Sequence, residues 1–287
     1  MRQKTRDGQL IEFQDTQDKV LTLLYGNLIG RCFVKVLTMP WISKLGGAVL
    51  STKLSTVAIP SFIRNNKIDM SQFEDVKYAS YNEFFMRKIK PEARPVDMNP
   101  DHLISPSDCK LTVLPVEKDG RFMIKQTPYT LQSLLKNEKE AEHYLGGTLC
   151  IFRLTVDDYH RYCYVDDAEV LEKVQIPGVL HTVNPIANDV LPIYKENTRE
   201  YCVLFNERLK RHLMMEVGAL MVGKIVNHPT DKKIKRAQEK GHFMFGGSTV
   251  IMVFEKDTVK IDEDILENSR NDIETVVRYG MKIGEIN

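Results

Sequence analysis

Apolar positions along this chain change period twice. Between Asp18 and Val36, the residues Val20, Leu21, Leu24, Leu28, Phe33 and Val36 recur at roughly helical spacing, with Arg31 and Lys35 interleaved. A second apolar stretch, Trp41 to Ile63, carries Lys44 and Lys53, ends against Arg64, and is broken by Pro40 and Pro60. Both predict basic amphipathic helices ahead of the main body. Their apolar stripes can pack on that body, the usual fate of such a stripe, or lie on an anionic membrane surface with Trp41 at the interface. The segment YNEFFMRKIKPEARPV, from Tyr81 to Val96, predicts a helix that runs into an extended linker punctuated by Pro91 and Pro95.

From Ile104 onward the texture becomes that of short strands bounded by turn residues. LTVLPV precedes Lys118, Asp119 and Gly120; RFMIK, TLCIFRL, the run from Glu169 to Ile176, YCVLF and GALMVGKIV follow. One helix interrupts them, starting near Thr130 and running through LQSLLKNEKEAEHYL to a stop at Gly146 and Gly147. The fold class read from this is α+β: a mostly antiparallel β body over residues 99–287, preceded by a helical, membrane-associating region over residues 1–98. No internal repeat or low-complexity segment breaks the pattern.

Composition narrows the function classes. Hydrophobic residues make up 43% and charged residues 28%, as in a folded globular chain. With 40 Lys and Arg against 39 Asp and Glu the net charge is +1, so no global field draws the chain to nucleic acid. The five cysteines, at 32, 109, 150, 163 and 202, never form a CxxC pair. Neither a disulfide framework nor a cysteine zinc site is therefore expected, and a reducing cytoplasm fits. The polar start MRQKTRDGQL leads into no signal-peptide pattern, and no apolar run reaches the ~18 residues of a membrane span.

The strongest chemical signal is FGGSTVIMVFE, Phe245 to Glu255, in which two glycines precede a Ser, a Thr and a strand-like run. Gly246 and Gly247 let the backbone take unusual φ angles and leave the carbonyl before Ser248 open to close approach. A serine hydroxyl held against its own preceding carbonyl can attack it, turning the amide into an ester. Elimination of that ester leaves dehydroalanine, which hydrolyses to a pyruvoyl group. The attack needs a base and an oxyanion donor. By itself a Gly-Gly-Ser-Thr tetrad is most often a turn entering a strand.

The tetrad resembles the processing site of phosphatidylserine decarboxylases. The resemblance extends through NEFFMRKIKPEARPVD from Asn82, SPSDCKL from Ser105, FRLTVDDYHRY from Phe152, IPGVLHTVNP from Ile176 and VGALMVGKI from Val217, in the family's order. It implies cleavage between Gly247 and Ser248 into a β chain, residues 1–247, and an α chain, residues 248–287, headed by a pyruvoyl cofactor made from Ser248. It implies decarboxylation of phosphatidylserine to phosphatidylethanolamine, with the pyruvoyl carbonyl as electron sink, and so a substrate held in an anionic membrane. Association of the two chains after cleavage, a homodimer, and a peripheral place on the cytoplasmic face of the cell membrane are further expectations, and no nucleic-acid partner is expected.

By the same resemblance Asp108 is the aspartate that orients a histidine toward the serine, although Cys109 stands where the family usually has Gly. His160 matches the first histidine of the Tyr-His-Arg motif, suited to proton transfer near neutral pH. The second histidine, three residues on, is Cys163 here. Two replacements are available: His181, the preferred one, from a neighbouring strand, or His160 in both roles. His102, His143, His212, His228 and His242 are given ordinary structural roles. Arg153, Arg161 and Arg199 are candidates for holding the substrate phosphate or carboxylate. Two other readings are a relative that binds membrane lipid but has lost self-processing through Cys109 and Cys163, and a pyruvoyl decarboxylase of a soluble amino acid.

Overall fold

Runs of alternating apolar residues that are buried on both faces need cover on both sides, and here the cover is found in chain segments from both ends of the sequence. The computed structural model describes residues 2–12, 40–124, 127–179, 193–218, 224–245 and 248–287. Its strands, in chain order, begin with β1 (Arg2–Thr5), β2 (Leu10–Glu12), β3 (His102–Ile104), β4 (Cys109–Pro115), β5 (Arg121–Ile124) and β6 (Thr127–Thr130). They continue with β7 (Thr148–Leu154), β8 (Arg161–Cys163), β9 (Ala168–Ile176), β10 (Arg199–Asn206), β11 (Lys210–Val217) and β12 (Ile225–Asn227). The last are β13 (Lys233–Ile234), β14 (Glu239–Phe243), β15 (Ser248–Phe254), β16 (Val259–Ile261), β17 (Glu274–Val277) and β18 (Lys282–Ile286).

The main sheet has the order β13-β9-β10-β11-β15-β7-β4-β17-β1-β2. Its pairs are antiparallel except β1 with β17. β15 sits at its centre, buried at every position, between β11 and β7. Because successive side chains in a strand point to opposite faces, β15 feeds two cores. Val250, Met252 and Phe254 join Phe152, Cys202 and Met214 on one face, under Tyr162, Ile225 and Phe243 of the small sheet β12-β14-β8. Ile251 and Val253 join Val203, Leu213 and Met215 on the other, under Phe122 and Tyr129 of the β5-β6 hairpin and the leucines of the following helix.

Two expectations change. The helix expected from Thr130 to Gly146 is two short helices, Leu131–Leu135 and Glu138–Glu142. Lys136 takes a left-handed φ of 55° and stops the first, and the Asn137 side chain caps the second, which together turn the leucines into the core. The first residues, assigned by sequence to the helical region, form β1 and β2 and extend the main sheet against β17. The expected helix Asp18–Val36 lies outside the described residues. The second expected helix is α1 (Pro40–Leu50), a short 3₁₀ turn over Lys53–Ala58, and α2 (Ile59–Asn65). It is followed by α3 (Tyr81–Phe85), capped by the Ser80 hydroxyl, which accepts from the Glu83 amide. Among the described residues no helix is long and apolar enough to cross a membrane.

Candidate active site

Ser248 opens β15 and pairs in register with Leu154 of β7, so it shares the face of Val250 and looks toward the layer that carries β8 and β14. It is fully buried, and its Oγ has no hydrogen-bond partner among the described residues. A buried hydroxyl left without a partner is destabilising, and Ser248 shares this state with Ser107 and Thr249 among the described residues. Gly247, on the other side of the expected scissile bond, lies outside the described residues.

His160 stands where the turn after β7 enters β8. The same turn brings it under β14, where the Phe243 amide donates to the His160 carbonyl at 2.9 Å. Its ring lies 4.0 Å from that of Phe85, and Phe85 also packs on Phe245 at 5.0 Å, three residues before Ser248. Aromatic contact through one ring therefore joins the histidine to the segment that leads into the serine. The imidazole is fully buried, and burial pulls its pKa down to about 3. Nδ1 lies 2.9 Å from the Asp158 carbonyl, which can only accept, so Nδ1 carries the hydrogen. Nε2 is then an unprotonated acceptor, without a partner among the described residues. A neutral imidazole with an unengaged Nε2 is the form a general base needs.

The turn that holds His160 is itself held by charge. Lys110 Nζ reaches Asp158 at 2.7 and 2.8 Å and Thr155 Oγ1 at 2.6 Å. Burial opposes ionisation of Asp158, but the Lys110 ammonium outweighs it and holds that carboxyl below its ordinary value.

Among the described residues Asp108 is met by arginines and a backbone amide. Its carboxylate accepts from Arg94 Nε and Nη2 at 3.0 and 2.7 Å, from Arg278 Nη1 at 3.2 Å and from the Tyr279 amide at 2.8 Å. No histidine reaches it among the described residues. The Cys163 amide donates to the Pro106 carbonyl at 3.0 Å, and burial pushes its thiol up to about 12, while the Tyr279 hydroxyl donates to the Ala237 carbonyl at 3.2 Å. The Tyr279 amide and the two arginines together satisfy the Asp108 carboxylate. His181 lies outside the described residues.

The three arginines singled out by sequence are engaged elsewhere. Arg153 is paired with Glu274, Arg161 with Glu239 and the Met86 carbonyl, and Arg199 with the carbonyls of Leu134, Lys195 and Asn197. Sequence reasoning does not single out Arg87, and the structure does. It is 2% exposed, lies over the rings of Phe73 and Phe84 at 4.4 and 5.0 Å, and reaches the carbonyls of Asp157 and Asp158, beside His160, with Nη2 alone. Its Nε and Nη1 are buried without a partner among the described residues. Two buried guanidinium donors with nothing to donate to are a place for an anionic group. The available signal is its position in FFMR, where a cation is embedded in aromatics.

Comparison with known proteins accords with this arrangement. The family model for phosphatidylserine decarboxylase matches residues 81–285. Phosphatidylserine decarboxylase proenzyme 2 of Clostridium acetobutylicum is 44% identical over 268 residues, covering 93% of this chain and 92% of its own length. The proenzyme of Clostridium perfringens is 38% identical over 272 residues, with the same coverage of 93% and 92%. That of Fusobacterium nucleatum is 38% identical over 272 residues, covering 92% and 90%. Similarity at this level over nearly the full length of each relative, joined to a buried serine and a neutral histidine where the motifs placed them, makes this chain a member of the phosphatidylserine decarboxylase family.

Proposed function

We propose that Ser248, His160 and Arg87 form the working centre of this enzyme, with Asp108 as its positioning carboxylate. The observation that carries the proposal is the buried Ser248 Oγ, unpartnered among the described residues, at the head of the central strand, on the face that looks toward the layer entered by the neutral His160. The chain decarboxylates phosphatidylserine to phosphatidylethanolamine, using a pyruvoyl group derived from a self-cleaved serine. An orphaned hydroxyl on a strand that remains buried after cleavage fits such a group at Ser248. When formed, the pyruvoyl group supplies the electron sink for loss of carbon dioxide.

The chain's own residues supply the rest. In self-cleavage His160 Nε2 takes the Ser248 hydroxyl proton as Oγ bonds to the carbonyl carbon of Gly247, and the C–N bond of that peptide breaks to leave an ester. Loss of the Ser248 Cα proton with cleavage of the Cβ–Oγ bond frees the carboxyl end of residues 1–247 and leaves dehydroalanine, and hydrolysis with one water releases ammonia and leaves the carbonyl group at the head of residues 248–287. The two chains stay together because β15 is hydrogen-bonded on both sides and buried. In turnover Arg87 would hold the substrate's acid group, and His160 Nε2 would take up a proton from the substrate's ammonium group as the amine condenses and give it back to the carbon that has lost carbon dioxide. Burial makes its imidazolium a ready donor. Asp108 anchors Arg94, Arg278 and the Tyr279 amide to the turn before β4.

On this reading the enzyme sits peripherally on the cytoplasmic face of the cell membrane, against anionic lipid. Its support is an apolar surface on α1 and the 3₁₀ turn, where Leu45, Val49, Leu54 and Val57 are 61, 58, 85 and 82% exposed, with Lys53 and Arg64 exposed in the same stretch.

Intact-mass spectrometry of the purified chain with Ser248→Ala, His160→Asn and His181→Gln tests the assignment. The wild type splits before residue 248 with a blocked α chain, Ser248→Ala stays whole at 33.1 kDa, His160→Asn splits slowly or not at all, and His181→Gln splits normally. Normal splitting of His160→Asn with loss in His181→Gln would move the base role to His181.

A further inference from the structure

His228 and His242 were given ordinary structural roles by sequence and Glu239 none, and the fold gathers all three at the outer face of the sheet β12-β14-β8. Glu239 and His242 lie three apart on β14, which in a regular strand would set them on opposite faces. A register shift between Glu239 and Gly241, opposite β8, brings them to the same one. His228 follows directly on β12, and its amide donates to the Lys240 carbonyl at 2.8 Å. The close approach requires Gly241: a Cβ there would meet the Val226 carbonyl oxygen at 2.3 Å.

The resulting donor set is two imidazoles and one carboxylate, with ligand atoms all within 4.8 Å of one another. His228 Nε2 lies 2.7 Å from Glu239 Oε1, and the rings of His228 and His242 are 5.6 Å apart. His242 Nδ1 is buried and without a partner among the described residues. Tetrahedral zinc with bonds of ~2.0–2.1 Å spaces its ligand atoms about 3.3 Å apart. The closure needed is therefore roughly 1.5 Å at most, within reach of side-chain rotation in groups that are only partly buried. Arg161 Nη1 donates to the same Glu239 oxygen at 2.6 Å. That contact fixes the carboxylate's orientation from outside, and its positive charge weakens the affinity for a dication.

We infer that His228, Glu239 and His242 form a zinc-type site for a divalent transition-metal ion, three protein ligands with one position left for water, on a surface distinct from the Ser248–His160 centre. Bound there, the ion would clip the end of β12 to β14, the strand that leads through Phe243 and Phe245 to Ser248. Imidazole and carboxylate donors favour zinc, cobalt or nickel over magnesium or calcium. Metal binding needs unprotonated imidazole nitrogens as ligands, so it weakens as pH falls.

The test is titration of the metal-stripped full chain with zinc by calorimetry, and with cobalt by visible absorption. The expected result is one ion per chain with micromolar affinity, a tetrahedral cobalt spectrum without a thiolate band, and at least tenfold weaker binding in His228→Gln, Glu239→Gln and His242→Gln. The exposed His143→Gln should bind as wild type. Absence of saturable binding, a thiolate charge-transfer band assigning the ion to a cysteine, or equal weakening by His143→Gln would overturn the site. The cobalt spectrum is read on the wild type, so it decides between these outcomes even where a histidine variant fails to fold.

Discussion

A histidine that stays neutral when buried makes stability and self-cleavage respond differently to acid, and His160 offers the cleanest case. In the unfolded chain an imidazole takes up a proton below about pH 6.5; in the folded chain burial holds His160 neutral down to about 3. Between those values the unfolded state binds more protons, so folding stability falls as the pH falls. At pH 5 the folded imidazole is still neutral, and the unfolded one has gained about 2 kcal/mol of protonation free energy relative to pH 7. The measurement is urea unfolding of Ser248→Ala and of Ser248→Ala/His160→Asn at pH 7 and pH 5. Asparagine keeps a donor for the Asp158 carbonyl, and the cavity it leaves weakens the fold alike at both pH values. The histidine-containing chain should lose about 2 kcal/mol more than its partner. Self-cleavage of the wild type, refolded at the same two pH values, should keep its rate, whereas a base of ordinary pKa would lose roughly 20-fold. Equal stability losses in the two chains, or a cleavage rate that falls with protonation near pH 6.5, would show that the imidazole is open to solvent protons and refute the neutral-base argument.

Three other outcomes follow from the same structure. Lys240 and Glu216, 4 and 0% exposed, form a buried ion pair under Tyr162, and Lys240→Met should cost about 3–5 kcal/mol by leaving the carboxylate alone, with Glu216→Gln in the same chain restoring much of it in thermal melts. Arg87→Met should lower kcat/KM for phosphatidylserine by about 10- to 100-fold, as loss of a charge-assisted hydrogen bond of ~1.5–3 kcal/mol predicts, while self-cleavage still completes; unchanged kcat/KM would return Arg87 to a structural role. Leu54→Glu with Val57→Glu should abolish flotation with phosphatidylserine vesicles and spare self-cleavage, and retained flotation would move the membrane contact elsewhere.

Much of the fold is legible in the sequence because local pattern and burial agree in it. TLCIFRL is β7 residue for residue, and YCVLF and the run from Glu169 to Ile176 lie within β10 and β9, since a β-branched or aromatic run between turn residues has few other uses. RHLMMEV within β11 escapes the pattern because Arg211, His212 and Glu216 interrupt its apolar run; two of these are satisfied only by distant partners, Arg211 by Glu140 and Glu216 by Lys240. The helix after Thr130 is shorter than its pattern implies because a left-handed Lys136 carries no compositional mark.

The family, and the two motifs from which Ser248 and His160 are proposed, were legible in the sequence, because the residue types that such self-cleavage demands stand in short contiguous runs. What surrounds them was decided by tertiary structure. Asp108 meets arginines from 94 and 278, Arg87 has two donors without a partner among the described residues, and His228 reaches Glu239 and His242 across a bulge. Such pairings depend on strand register and on which face a bulge presents, and a one-residue slip would reverse them. Single positions carry no record of that choice; the packing of the two cores around β15 makes it.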